Sequence, residues 1–266
     1  MGEWGNYGPL EVYVVGTNKK AAAALEEKFC LRHLRLDSNW QRDIDCPADD
    51  YPVFMQYVGE ALASGAVSEY MVDYLDYNFF TLALGTEFPL PEDEDFGRLV
   101  LHEYFHVFQH AQLNDYCDGE GPCSREEKMV INPWFSEGSA EYMATLLYSR
   151  QSEAKSDDLQ TTMHCLLFCE DEFLATYLES GISLQDIPYN HEVDSYSIGA
   201  WFFAYLIHNE GEEALIQGFY GDLNDLGFEP AFTKHFGRSS EQYITQFNQF
   251  IKQPWPELVK ILPIKN

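Results

Sequence analysis

Residues 99–110 read LVLHEYFHVFQH, an apolar helical pattern that contains three histidines, each four residues after the one before. Residues at this spacing lie on one face of an α-helix, so His102 and His106 can present their imidazole nitrogens to a single metal ion. Glu103 is rotated by about 100° from His102 around the helix axis. A carboxylate there can reach a metal-bound water without being a ligand, as the general base of a zinc hydrolase does. The stretch therefore predicts a metal-binding helix.

The chain before this stretch predicts where the helix begins. Pro89 is followed by the acidic run of residues 92–95, which suits the positive end of the helix dipole. The helix is predicted to continue to about Leu113. Five apolar side chains are predicted to pack it into the core: Phe96, Leu99, Val100, Phe105 and Phe108.

A second helix is predicted to open at Asn132-Pro133, a good N-cap followed by proline at the first helical position. It carries Glu137 and Glu141 on one face, and the neighbouring Gly138 and Ala140 are small enough to let another helix come close. Burying two unpaired carboxylates is costly, and a divalent cation would remove that cost. Glu137 is the natural third ligand, and Glu141 can accept the free ring N–H of a ligand histidine. These two roles can be exchanged, and a helix that exposes both glutamates to solvent is the alternative.

Together these segments resemble the gluzincin metallopeptidases, the class that includes thermolysin, aminopeptidase N-type enzymes and bacterial collagenases. The resemblance covers about residues 95–252, through HEYFH at 102–106, WFSEGSAEY at 134–142 and SYSIGAWFFAYL at 195–206. It implies bound Zn²⁺ with Glu137 as third ligand, and it gives Tyr196 the role of stabilising the tetrahedral oxyanion. The chain lacks the Gly-Ala-Met-Glu-Asn segment of the aminopeptidases, so an endopeptidase is the expected type.

A third helix is predicted from residues alone, with Asp194 and Ser195 as caps and an end near Gly211. Tyr196 in its first turn can reach into a cleft, although a lone tyrosine more often serves packing. His191, just upstream, is a second candidate for contact with the oxyanion or the leaving group.

The N-terminal half predicts a small sheet with helices. Residues 11–16 are predicted to form a strand, 19–34 a helix, 53–63 a helix that stops at Gly65, and 79–84 a strand. The last strand either pairs its free backbone groups with an extended peptide or lies in the interior of the sheet. The expected fold is α+β and zincin-like. A mixed sheet-and-helix lobe at 1–114 ends in the metal helix, a mainly helical lobe follows at 115–266, and the active-site cleft lies between them in one catalytic domain.

The amino-acid composition limits the binding partners and the cellular compartment that we expect for the protein. A formal charge of −28 repels nucleic acids and anionic membranes, and no apolar run is long enough to span a bilayer. Six cysteines permit three disulfides. Cys117 and Cys123 can close a small ring, whereas Cys165 and Cys169 are predicted to be buried thiols because bridging across one helical turn is awkward. We expect a secreted or periplasmic protein, with a cytoplasmic location left open; the N-terminus does not look like a signal peptide, so an exported chain would be the mature part.

The sequence thus predicts a zinc metallopeptidase that cleaves peptide or protein substrates. The main alternative is a metal-binding module that keeps the zincin fold without peptidase turnover and acts in binding or interaction. A weaker alternative is a helical protein without a metal. The sequence leaves substrate preference and oligomeric state undecided.

Overall fold

The computed structural model describes residues 10–36, 41–42, 65–72, 77–87, 94–113, 133–152, 154–169, 173–188 and 193–264. The chain divides into two compact units, residues 1–108 and 109–266, and the boundary falls inside the helix that carries the histidine pair. The predictions for the helix at 53–63, for the Cys117–Cys123 ring and for His191 lie outside the described residues.

The first unit contains a three-stranded sheet and helices, so the α+β prediction is confirmed at this level. Its elements are β1 (Leu10–Val15), α1 (Lys19–Leu36), β2 (Gly65–Val72), β3 (Tyr77–Gly85) and most of α2 (Glu94–Ala111). The predicted strand at 11–16 and helix at 19–34 are confirmed as β1 and α1. In the described sheet, the strand order is β1-β3-β2.

The central strand β3 pairs on both sides. It runs parallel to β1, with Leu10 opposite Phe80, and antiparallel to β2, with Gly65 opposite Leu84. Because both edges of β3 are already occupied, the interpretation that it offers free backbone groups to a peptide is wrong, and the interior-strand alternative is confirmed. Gly65 opens β2, a strand that the sequence did not predict.

Helix α2 is enclosed along its second half. Phe105 and Phe108 are buried as predicted, whereas Phe96, Leu99 and Val100 are only half-buried. Burial instead begins at Leu101 and continues through Gln109, with His106 alone half-exposed in that stretch. The reason is that Leu101 lies four positions before Phe105 and Tyr104 lies four positions before Phe108, so these two residues continue the buried face of the helix.

The second unit is helical among its described residues. Its α-helices are α3 (Pro133–Ser149), α4 (Asp158–Phe168), α5 (Phe173–Ser180), α6 (Ser195–Glu210), α7 (Tyr220–Leu226), α8 (Phe228–Phe236), α9 (Ser240–Phe250) and α10 (Trp255–Leu258). A π-helical segment, Ala214–Phe219, precedes α7, and two 3₁₀ turns lie at Leu184–Asp186 and Val259–Ile261. The predicted second and third helices are confirmed as α3 and α6.

Helices α3 and α6 form the centre of this unit. From Ser195 to Leu206, helix α6 is buried at every position except the half-buried Tyr196 and Tyr205, as expected of a helix that is apolar on nearly all sides. A methyl group added at Gly138 would lie 2.5 Å from the Cα of Gly199, and one added at Gly199 would collide with the carbonyl oxygen of Trp134. The prediction that Gly138 permits close helix packing is therefore confirmed.

Aromatic side chains fill the space around this helix pair. Trp134 meets Phe202 edge to face with 5.2 Å between ring centroids, and Phe135 meets Phe203 at 4.8 Å. Such edge-to-face pairs are favourable beyond the area that they bury. The indole N–H of Trp201 donates to the carbonyl oxygen of Met163 over 2.8 Å, which ties α4 to α6.

The interpretation of Cys165 and Cys169 as buried thiols is wrong. Their sulfur atoms are bridged, and both residues are exposed. Helix α4 ends at Phe168, and Cys169 follows in a non-helical conformation, with φ −82° and ψ −114°. Because the chain leaves the helix there, the two Cα atoms approach to 4.5 Å and the bridge can form.

Within the part of the chain that the structure describes, no helix is both long enough and apolar enough to cross a membrane.

Candidate metal centre

The two histidines of α2 converge as the sequence predicted. The Nε2 atoms of His102 and His106 lie 3.1 Å apart, and the ring planes cross at 75° with 4.9 Å between centroids. His102 is 8% exposed and His106 is half-buried. The helical spacing of four residues places both nitrogens at one point beside the helix.

Glu137 supplies the third donor of the group. One ligand atom each from His102, His106 and Glu137 lies within 4.8 Å of the others. In a tetrahedral zinc site with bonds of about 2.0–2.1 Å, neighbouring ligand atoms are about 3.3 Å apart. The 3.1 Å between the two Nε2 atoms fits that edge length. Two imidazoles and one carboxylate are also the donors that zinc prefers when one position is kept for water. These residues therefore fit a zinc ion.

Glu103, next to His102 on α2, is also buried, with 6% of its surface exposed. In an HExxH helix, the carboxylate that follows the first histidine can reach a metal-bound water without being a ligand.

One turn beyond His106, the buried Gln109 fixes the end of α2 to α3. Its side-chain nitrogen lies 2.9 Å from the carbonyl oxygen of Ser136, 2.9 Å from the hydroxyl of Ser139 and 3.0 Å from the hydroxyl of Tyr220. Ser136 directly precedes Glu137. The amide therefore holds the C-terminal turn of α2 against the turn of α3 that carries the third donor.

Two hydroxyls complete the contacts of this network. The Ser139 hydroxyl lies 3.1 Å from the carbonyl oxygen of Ser136, to which it can donate, and 3.1 Å from the Tyr220 hydroxyl, where either oxygen can be the donor. Burial raises the pKa of Tyr220 well above its ordinary value, against smaller opposite contributions from the hydrogen bonds with Ser139 and Gln109. The phenol therefore stays protonated.

The remaining predicted residues have different positions. Glu141 lies one turn after Glu137 on α3, and both are half-buried, so the alternative of two solvent-exposed glutamates does not describe them.

Tyr196 lies half-buried in the first turn of α6, where the Asp194 carboxylate accepts from its backbone N–H over 3.1 Å. The predicted cap is thus confirmed. Gly199, three residues after Tyr196, packs against Gly138, the neighbour of Glu137.

The sequence did not single out Gln109. It lies seven residues after His102 and three after His106, so all three share one helix face. The sequence feature that could have identified Gln109 is its uncharged amide on the histidine face of an apolar helix. Its partner Tyr220 is 111 residues away in the chain, which no local pattern reveals.

Comparison of the chain with protein-family models, with curated proteins and with solved structures gives no match.

Proposed function

We propose that the chain is a zinc-dependent metallopeptidase of the gluzincin type with a zincin-like fold. The proposal rests on the grouping of His102, His106 and Glu137, with one ligand atom of each within 4.8 Å of the others, and on Glu103, which is buried next to His102. This donor set and the HExxH spacing are those of a catalytic zinc site with one open position. The substrates are peptides or proteins.

Each residue has a role in peptide-bond hydrolysis. His102, His106 and Glu137 would hold the zinc, which supplies Lewis acidity for the water and for the scissile carbonyl. The Glu103 carboxylate takes a proton from the attacking water and gives it to the leaving amine nitrogen as the C–N bond breaks. Tyr196 donates a hydrogen bond to the carbonyl oxygen as it gains charge, a contact worth about 3 kcal/mol in other hydrolases. Glu141 accepts a ring N–H of a ligand histidine and so orients it.

The disulfide bonding of Cys30 favours the proposed secreted or periplasmic location. Cys30 is buried in α1 and disulfide-bonded. Structural disulfides form and persist in oxidising compartments.

The Glu103→Gln variant tests the proposed function. The change removes the proton acceptor and keeps the three ligands, so zinc content should stay at one ion per chain while cleavage of a mixed peptide library falls by about 10²–10⁴-fold. The matched control is Glu179→Gln, an exposed glutamate at the end of α5, which should leave both quantities unchanged. Wild-type cleavage by the Glu103→Gln protein would contradict the mechanism. Zinc binding by a wild-type chain that cleaves nothing in the library would favour the metal-binding module.

A further inference from the structure

A second group of donor atoms lies at the C-terminal end of α4, away from the histidine pair in the sequence. It comprises His164, Cys165 and Cys169, whose ligand atoms lie within 4.8 Å of one another. The two cysteines are bridged and exposed, and His164 is half-buried. A thiolate binds a metal, whereas the sulfur atoms of a disulfide do not act as thiolates. The oxidation state of this pair therefore decides whether the group can bind a cation.

The imidazole of His164 is held by two aromatic neighbours. Its ring lies 4.8 Å from the ring of Trp255, edge to face, and 5.1 Å from the ring of Phe168. The same residues line a cavity of about 320 Å³ together with Leu174, Leu178 and Ile251. A ring fixed in this way against an apolar wall is a pre-positioned nitrogen donor, because neighbours that hold a ligand histidine in one orientation raise its affinity for metal.

We propose that the Cys165–Cys169 pair is a thiol–disulfide switch, and that its reduced form, together with His164, binds one soft divalent cation such as zinc. Two thiols of a reductant give up two electrons and two protons and become a disulfide, while the Cys165–Cys169 S–S bond breaks and leaves two thiols. A phosphine gives up the same two electrons and becomes a phosphine oxide, with water supplying the oxygen atom and the two protons. Binding of the cation then releases both thiol protons, and the two thiolates and the imidazole become ligands. Two cysteines and one histidine with a fourth position for water are a known zinc donor set. The exposure of both cysteine residues gives a reductant access to the bridge.

Cobalt titration of the full chain tests the proposal, because thiolate-bound Co²⁺ has near-ultraviolet charge-transfer absorption that nitrogen and oxygen ligands do not give. After reduction with a water-soluble phosphine, the wild type should gain this absorption with a saturating stoichiometry, and the oxidised protein should not. The Cys165→Ser/Cys169→Ser double variant is the matched control, since it keeps the other four cysteines. The His102–His106–Glu137 group has no sulfur, so failure here leaves the proposed function untouched.

The His164→Ala variant tests whether the imidazole is a ligand or whether the two thiolates bind the cation without it. Loss of residues that only orient a ligand costs about 10–100-fold in metal affinity, so loss of the ligand itself should raise the apparent dissociation constant for cobalt by at least about tenfold. Equal charge-transfer absorption in the reduced wild type and the double variant would overturn the proposal. So would a bridge that alkylation and mass spectrometry find still closed in the folded protein under the reductant.

Discussion

A single buried amide, that of Gln109, joins the helix of the histidine pair to the turn that carries Glu137. Its two N–H protons face three acceptors within 3.0 Å. Because two protons can make only two full hydrogen bonds, the third contact is shared or weak. The hydroxyls of Ser139 and Tyr220 also contact each other, 3.1 Å apart.

At this residue scale we predict that Gln109→Leu lowers the free energy of unfolding by about 1–3 kcal/mol, the cost of leaving buried polar partners without the amide. Urea unfolding measures the change. Zinc affinity should fall in the same variant, because the histidine turn and the Glu137 turn lose their shared anchor. The control is Gln249→Leu at an exposed position of α9, which should stay within about 0.5 kcal/mol of the wild type. Equal stability of the two variants would show that the amide anchors nothing.

At the scale of helices, the packing of α3 on α6 depends on two glycines that face each other. No side chain fits between their backbones, since even a Cβ at Gly138 would approach the Cα of Gly199 to 2.5 Å. The contact lies one residue from Glu137 on one helix and three residues from Tyr196 on the other. Packing at this point therefore sets the geometry of two proposed functional residues.

Gly138→Ala is expected to lower the free energy of unfolding by about 1–3 kcal/mol, because the helices must move apart to admit the methyl group. Thermal or urea unfolding checks this. Gly221→Ala in α7 is the matched control, since nothing lies within 4 Å of its added Cβ. That variant should be neutral or more stable by up to about 1 kcal/mol, owing to the reduced freedom of the unfolded chain. If both substitutions act alike, the close approach of the helices does not limit stability.

The ends of a helix were predictable where capping residues mark them. Asp194 and Gly211 bracket α6 as N-cap and C-cap, and both are confirmed. β2 was not predicted because Gly65 reads as the stop of a helix and the strand has no clear alternation of polar and apolar residues. The Cys165–Cys169 bridge was missed because its geometry depends on where α4 ends, which sequence patterns locate only to within a few residues.

For the candidate site, the local part was predictable and the tertiary part was not. The spacing of His102 and His106 alone sets their convergence, as the 3.1 Å between their Nε2 atoms reflects. The network of Gln109 requires knowing that a tyrosine 111 residues later packs beside it. Hydrophobic periodicity and capping residues describe one helix at a time, so they could not predict the contact between Gln109 and Tyr220.

At the scale of the whole molecule, several buried tyrosines make stability sensitive to alkali. Burial raises the pKa of Tyr177 to about 12, against smaller opposite contributions from hydrogen bonds with Asn248 and the backbone of Leu184. Burial also raises the pKa of Tyr142 well above its ordinary value, with a further increase from Glu212 and a decrease from Arg150. Above the ordinary value of 10.0, the unfolded chain releases protons that the folded chain keeps.

The free energy of unfolding should therefore be constant up to about pH 10 with respect to these groups and fall between about pH 10 and 12. Each such tyrosine contributes at most about 1.4 kcal/mol per pH unit to the slope. Tyr177→Phe loses the hydrogen bond to Asn248 and starts less stable at pH 8, yet its stability should fall less steeply above pH 10. Urea unfolding at pH 8, 10 and 11 measures both effects. Identical slopes in the two proteins would contradict the raised pKa of Tyr177.

The central claim is that two imidazoles of α2 and one carboxylate of α3 bind the same zinc ion. X-ray absorption at the zinc edge tests it directly, on the oxidised wild-type chain loaded with one equivalent of zinc. We predict only nitrogen and oxygen neighbours at about 2.0–2.2 Å, with the outer scattering of two imidazole rings. Sulfur neighbours at about 2.3 Å, or a spectrum without imidazole scattering, would contradict it.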